Sequence, residues 1–338
     1  MADLRGVPAT VNTRAAPRPA ATATVPGSSR FLLRALRTLV KEKPVGAFGG
    51  AITLLLLLTG IFADVLAPYG MNEVNRDAFL APPSREFPLG TDNLGRDLLS
   101  RVIYGARISI IVGLAASAIS TVGSTLLGLV SGYVGGRLDL LLQRAVDAIM
   151  AIPGLIMLLV IMALVGPGML EIILVLGLGG AIGGSRIVRG EVIKVKENVY
   201  TQAATAVGSR TSGILARHIL PNVMAPIIVL FSITVPGMIL TEASLSFLGL
   251  GIPPPAPSWG GMLGGSGRRY MFLAPWMVIW PGLALAIVVY GVNMFGDALR
   301  DVLDPRLRGG SGRFGVLGTN RRSRRGSLRR RSREQTTD

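Results

Sequence analysis

The chain has 338 residues, half of them hydrophobic and only 16% charged, with a mean hydropathy of +0.53, well above that of a soluble globular chain. It has no cysteine and one histidine, which excludes a disulfide framework, thiolate metal sites, a cysteine nucleophile and a multi-histidine metal centre. The formal charge of +16 is concentrated at the two ends: residues 1–43 carry +6 and residues 311–338 carry +7, with a nearly neutral apolar body between. Basic ends on an apolar body fit a membrane protein with cytoplasmic termini, and no nucleic-acid partner is expected.

In chain order, residues 1–29 are rich in Ala, Thr and Pro and read as a disordered cytoplasmic tail. Over residues 30–44, Arg30, Arg34, Arg37 and Lys41 recur at helical spacing beside leucines, as in an amphipathic helix lying on the membrane surface. The membrane domain is expected over residues 45–310. A spanning helix needs about 20 mostly apolar residues. Val45–Ala63, Ile108–Gly136, Ala148–Leu170, Ile219–Thr241 and Tyr270–Gly296 meet that need as uncharged runs. Between Glu171 and about Val188 a sixth span is weaker, because only Ile172–Ser185 is free of charge. The turn Gly166-Pro167-Gly168 makes it an antiparallel neighbour of the third. An even number of spans puts both basic ends on one side, the cytoplasm by the positive-inside rule. Residues 311–338 read as a disordered basic tail. Small-xxx-small pairs at Gly128/Gly132, Gly179/Gly183 and Gly180/Gly184 predict close helix packing. The fold class is therefore all-α integral membrane, with six transmembrane helices.

Two kinds of segment between the spans are too patterned to be plain connectors. Pro68–Ile103 contains Gly90, Thr91, Asp92, Gly95, Arg96 and Asp97, followed by Ser100 and Arg101. Its alternating charges suit internal ion pairs of Asp92 or Asp97 with Arg96 or Arg101. A calcium site is disfavoured by the interleaved arginines. Leu250–Arg269, rich in proline and glycine, faces the same side. Removing Asp92 and Arg96 together is expected to weaken delivery of a solute while leaving assembly intact. On the other side, the loop 189–221 holds Tyr200-Thr201-Gln202-Ala203-Ala204-Thr205-Ala206-Val207, a short helix by propensity, with Gly208 as a left-handed stop. Thr211 or Ser212 is placed to cap a second short helix. Small Ala203 and Ala204 offer a smooth face for a partner protein.

This loop resembles the EAA motif of ABC importer permease subunits, with Ala203, Ala204, Gly208, Leu220 and Pro221 in register. Gln202 stands where that family has Glu, and His218 where it has Ile. The Pro88–Arg107 segment, Leu245–Gly251 with the following prolines and Trp259-Gly260, and Asp304–Arg308 are similar to motifs of the peptide/nickel branch. The subunit resembled is the C-type permease of dipeptide/oligopeptide importers. The resemblance implies a type I ABC importer permease fold. It also implies a second homologous permease, two ATPase subunits, an extracytoplasmic solute-binding protein, and a short peptide as cargo in a bacterial or archaeal cytoplasmic membrane. Nickel or another peptide-like solute is the alternative cargo, and a secondary transporter the alternative mechanism. On this reading Tyr200, Gln202, Ala203, Ala204, Gly208, Leu220 and Pro221 couple to the ATPase. The four lysines, Lys41, Lys43, Lys194 and Lys196, lie in no P-loop. The chain is thus expected to carry no catalytic residue, metal or cofactor, with ATP and Mg2+ bound on the partner ATPases. His218 is read as an interfacial hydrogen-bonding residue rather than a proton relay. Asp147 and Glu242 either touch substrate or pair with neighbouring groups. Pro153, Pro226 and Pro236 are read as kinks or packing devices.

Overall fold

A computed structural model describes residues 43–303, so both tails, nearly all of the 30–44 surface helix and Asp304–Arg308 lie outside the described residues. Helices α1 (Pro44–Ile61) and α2 (Ala63–Leu66) lead through the irregular segment 67–97 to α3 (Leu98–Val134), a 37-residue helix. Then come α4 (Gly136–Met150), α5 (Gly154–Val165), α6 (Met169–Lys196), α7 (Val199–Ala206) and α8 (Thr211–Ile214). A π-helical turn, Leu215–Ile219, continues α8 into α9 (Leu220–Phe247). The last two are α10 (Trp259–Tyr270) and α11 (Trp276–Leu303).

Five helices are long and apolar enough to cross a membrane unaided, and α4 with α5 forms a pair bent by 85°. This corrects the third expected span. Instead of one helix over Ala148–Leu170, there is a break at Ala151–Pro153 and a helix of only 12 residues after it. Pro153 lacks an N–H and pushes Ile152 out of the helical region, which ends α4. At about 1.5 Å per residue α5 alone is too short for a bilayer. The pair nevertheless crosses. Gly123 packs on Ala181, Gly128 on Val188 and Gly132 on Val192, so α3 and α6 run parallel and the chain between them must return through the full thickness. The weaker span expected from Glu171 to about Val188 is corrected the other way. Helix α6 runs on through Arg186, Arg189 and Glu191 to Lys196, where Lys194 and Lys196 sit favourably at the negative end of its dipole.

Glycines set the close approaches. Gly128 and Gly132 meet α6, while Gly180 and Gly184 meet Ser120 and Ser124 of α3. Gly179 touches only Leu158, at 3.6 Å, and Gly183 faces open space, so that pair does not serve as an interface. Helix α1 lies antiparallel to α11, Gly46 against Ala298 and Gly49 against Met294, and Lys43 Nζ meets Asp301 Oδ2 at 2.8 Å. Both ends of the described chain therefore lie on one face of the bundle. Val188, Val192 and Val195 of α6 pack with Ile219, Val223 and Ile227 towards that same face. Pro226 and Pro236 lie inside α9 without ending it, whereas Pro153 marks a true break.

Candidate functional site

On the face that carries the chain ends, α7 is held at Thr201 and at Ala204, which packs against the cluster of Val188, Val192 and Ile219, and is exposed elsewhere. Thr201 is 1% exposed and donates its hydroxyl to Val195 O at 2.9 Å, fixing the short helix to the end of α6. Gln202 is exposed and donates to Glu197 O at 3.1 Å. Val199 and Val207 are 82% and 86% exposed, with Tyr200 and Ala203 also at the surface. These apolar side chains stand open to the surface at both ends of the short helix.

Gly208 ends α7 as the sequence expects, at φ +81°. Its N–H donates to Thr205 O, and that of Ser209 reaches back to Ala204 O, the paired bonds of a Schellman motif. The second short helix differs from expectation. Arg210, not Thr211 or Ser212, is the N-cap of α8, and no side-chain cap bond forms. Helix α8 then joins α9 without interruption through the π turn. Pro221 accounts for that turn: its ring crowds the carbonyl four residues back, and it has no N–H to donate, so an ordinary α turn cannot close there. Leu220 and Pro221 thus start the long helix rather than lie in a loop. His218 has its ring 6.4 Å from that of Tyr200, and its backbone carbonyl accepts from Asn222.

Behind α7 a polar network ties three helix ends together. Arg189 binds Asp139 through two bonds of 2.7 and 2.6 Å, Ser131 donates to the same carboxylate, and Gln143 donates to Ser131 at 3.0 Å. Lys196 donates to Tyr133 O at 2.6 Å and lies over the Tyr133 ring. Of these groups Asp139, Tyr133 and Lys196 border a cavity of about 900 Å³ reaching Gln202 and Thr205. None was singled out from sequence. The available signal was an acid and two cations just past the spans, where unpaired charge is costly.

On the opposite face, residues 67–97 fold into a cap whose patterned residues bind one another. Asp92 Oδ1 accepts from the N–H groups of Leu94 and Arg96, at 2.8 and 3.0 Å. Its Oδ2 takes Arg96 Nε at 2.7 Å and lies 3.6 Å from Arg101 Nε. Asp97 makes no such pair: it caps α3, accepting from Ser100 N and Ser100 Oγ, both at 2.7 Å. Thr91 is fully buried, accepting from Ala81 N and donating to Ala78 O. Gly90 and Gly95 have φ +79° and +76°, and a Cβ on either would strike Ala81 or Asn75 backbone. Trp276 and Trp259, which sequence reasoning did not assign roles in this cap, donate to Thr91 O and Val102 O at 3.1 and 3.0 Å. Their signal was an indole N–H near a membrane boundary, which needs an acceptor. At the edge of the cap Arg107 donates to Asp64 at 2.8 Å, and that bond holds the Asp64 carboxyl below the usual carboxylate range.

The two weighed acids both find partners. Asp147 pairs with Arg186 and lies 3.8 Å from Arg144. Glu242 is fully buried and accepts from Ser246 Oγ at 2.7 Å through Oε1, while its Oε2 is buried without a partner among the described residues.

A multi-pass helical bundle with an anchored short helix on one face and a folded cap on the other is the architecture of an integral membrane protein structured on both sides of its spans. Residues 124–309 match the family described as binding-protein-dependent transport system inner membrane component, and the chain belongs to that family. It is 39% identical to the oligopeptide transport system permease protein OppC of Bacillus subtilis (strain 168), over 79% of this chain and 88% of that one. It is 40% identical to the di/tripeptide transport system permease protein DppC of Pseudomonas aeruginosa (strain UCBPP-PA14), over 78% and 89%. An inward-facing structure of the MetNI methionine ABC transporter superposes with a TM-score of 0.51 at 17% identity, over 61% of this chain and 98% of that one. At that identity the likeness concerns the fold, a type I ABC importer permease.

Proposed function

We propose that this chain is one permease subunit of an ATP-driven importer of short peptides. It forms half of the pathway beside a second, homologous permease. The anchored but largely exposed helix α7 carries this reading: it meets the bundle only through residues such as Thr201 and Ala204 and turns its other side chains outward, as a docking element does. Two cytoplasmic ATPases, which bind the ATP and Mg2+, close against it and rock the attached helices. An extracytoplasmic solute-binding protein delivers cargo to the cap. The chain itself has no catalytic role. Its setting is the cytoplasmic membrane of a bacterium or archaeon. The peptide cargo is supported by the names of the relatives, and the cytoplasmic placement of the chain ends by their charge.

Topology is checked with reporter fusions. Those after Asn198 and after Arg308 should report cytoplasm, and one near Asn75 should report the exterior. An exterior signal after Asn198 would remove α7 from the reach of any ATPase. Function is checked by uptake of a labelled dipeptide and tripeptide in cells deleted for this chain. Uptake should fall to background and return with the intact gene. Unchanged uptake in the deletion strain, with partner genes intact, would overturn the peptide reading.

A further inference from the structure

At the end of α9 farthest from the chain termini lies a pocket of about 650 Å³, within the size range of small-ligand sites. Arg96 and Arg101 line it, Arg268 stands exposed at its rim, and Asp92 is the one acidic residue on its wall. Asp92 cannot balance them. One of its oxygens is taken by two backbone N–H groups, and the other is shared by Arg96 at 2.7 Å and Arg101 at 3.6 Å. Arg101 is only 6% exposed, and its Nη1 already donates to Met71 O at 3.2 Å. It shares the single charge of Asp92 with Arg96, however, and the excess positive charge held out of water favours a second anion. Arg268 has no acidic partner among the described residues. Beside this cationic end the walls are apolar, with Ile252 and Met262 among them. Methionine adapts to side chains of different shape.

We propose that this pocket binds the C-terminal carboxylate of the incoming peptide, with Arg101 and Arg96 as its anion contacts and the apolar wall receiving the last side chain. The inference rests on the peptide-importer reading above. A carboxylate is the planar anion that a guanidinium fork holds through two charge-assisted bonds. The pocket would then hold the peptide by a feature that every unblocked peptide shares, whatever its sequence.

The test uses the complete transporter, with both permeases and both ATPases, in nanodiscs without the binding protein. A fluorescent tripeptide with a free C-terminal carboxylate is compared with its C-terminal amide by anisotropy. Uptake of both is then measured in liposomes with saturating loaded binding protein. On wild type the acid should bind about tenfold or more tightly than the amide, the loss expected when a charge-assisted bidentate contact is removed. Arg101→Gln should bring the ratio close to one, and Arg268→Gln, a surface change, should lower it about two- to threefold through the weaker long-range attraction. Equal binding of acid and amide by wild type, with both transported, would overturn the pocket and leave the importer standing. An equal loss for both peptides in Arg101→Gln, with weaker docking of the binding protein, would assign the anion to that protein and also overturn it. Failure of wild type to take up either peptide would remove the importer reading and this proposal with it. Should Arg101→Gln not assemble, the wild-type ratio and Arg268→Gln decide.

Discussion

Gly208→Val should cut substrate-stimulated ATP hydrolysis by the assembled transporter roughly 5–30-fold, the population change produced by 1–2 kcal/mol, while membrane insertion stays normal. Gly208 stands at φ +81°, and a Cβ placed there meets nothing within 4 Å. The valine penalty is therefore one of backbone conformation and not of collision. A left-handed L-residue costs about 1–2 kcal/mol, and a β-branched one is the least tolerant. The strain falls on the two bonds that close α7, Gly208 N to Thr205 O and Ser209 N to Ala204 O. Losing them changes the angle at which α7 is presented, far from the glycine contacts that hold the bundle. Gly208→Asn should retain most of the stimulated rate, since asparagine enters the left-handed region readily, and Gly208→Ala should fall between. Hydrolysis and transport in reconstituted vesicles, measured on the three variants and wild type together, check the ranking. Full coupling in the valine variant would mean that the turn does not set the docking angle.

Asp92→Ala should open the cap, at a local cost of about 3–5 kcal/mol, the usual range for breaking a buried ion pair from one side. The Asp92 side chain is 5% exposed, and those of its arginine partners 12% and 7%. Its removal strands both guanidinium groups and frees two backbone N–H groups at once. Protease cleavage within 68–97 should accelerate, and the thermal midpoint of the purified complex should drop. Asp92→Asn should recover part of the loss, because its amide oxygen can still accept from Leu94 and Arg96 N–H. A cleavage rate equal to wild type in the alanine variant would show that the cap is held by other contacts. From sequence, both an internal ion pair and a role in solute delivery are expected here. The pair of Asp92 with Arg96 is present, so loss of the cap is the route by which removing Asp92 is expected to weaken delivery.

Much of this was legible before any coordinates. Runs of uncharged residues located five crossings, and a residue able to adopt positive φ after an alanine-rich segment located the end of α7. What was not legible depends on where charge and proline fall in three dimensions. Counting uncharged residues shortened α6, because its last turns are polar and lie past the lipid. The same count made one span of Ala148–Leu170, where Pro153 divides the crossing between two helices. The pattern from Gly90 to Arg101 marked a structured segment correctly. It could not reveal that Asp92 and Asp97, five residues apart, do different work, one bracing a loop and the other capping a helix. That division follows from which backbone N–H groups each carboxylate meets after folding. Likewise Pro221 was visible, but its consequence, a π turn that joins α8 to α9, required the geometry of the carbonyl behind it.

That join has a mechanical consequence. From Thr211 to Phe247 the chain is one helix of 37 residues, about 55 Å at 1.5 Å per residue. It begins three residues after the Gly208 turn, and its far end, Ser246 to Gly249, forms part of the arginine-lined pocket. One continuous member, with a π turn, Pro226 and Pro236 along it, thus reaches from beside α7 to the opposite face. A tilt of about 5° applied at one end displaces the other by about 5 Å, given that length. On the function proposed above the leverage would run both ways: an occupant lodged against Ser246 would bias the pose of the turn at Gly208, and closure at that turn would reshape the pocket.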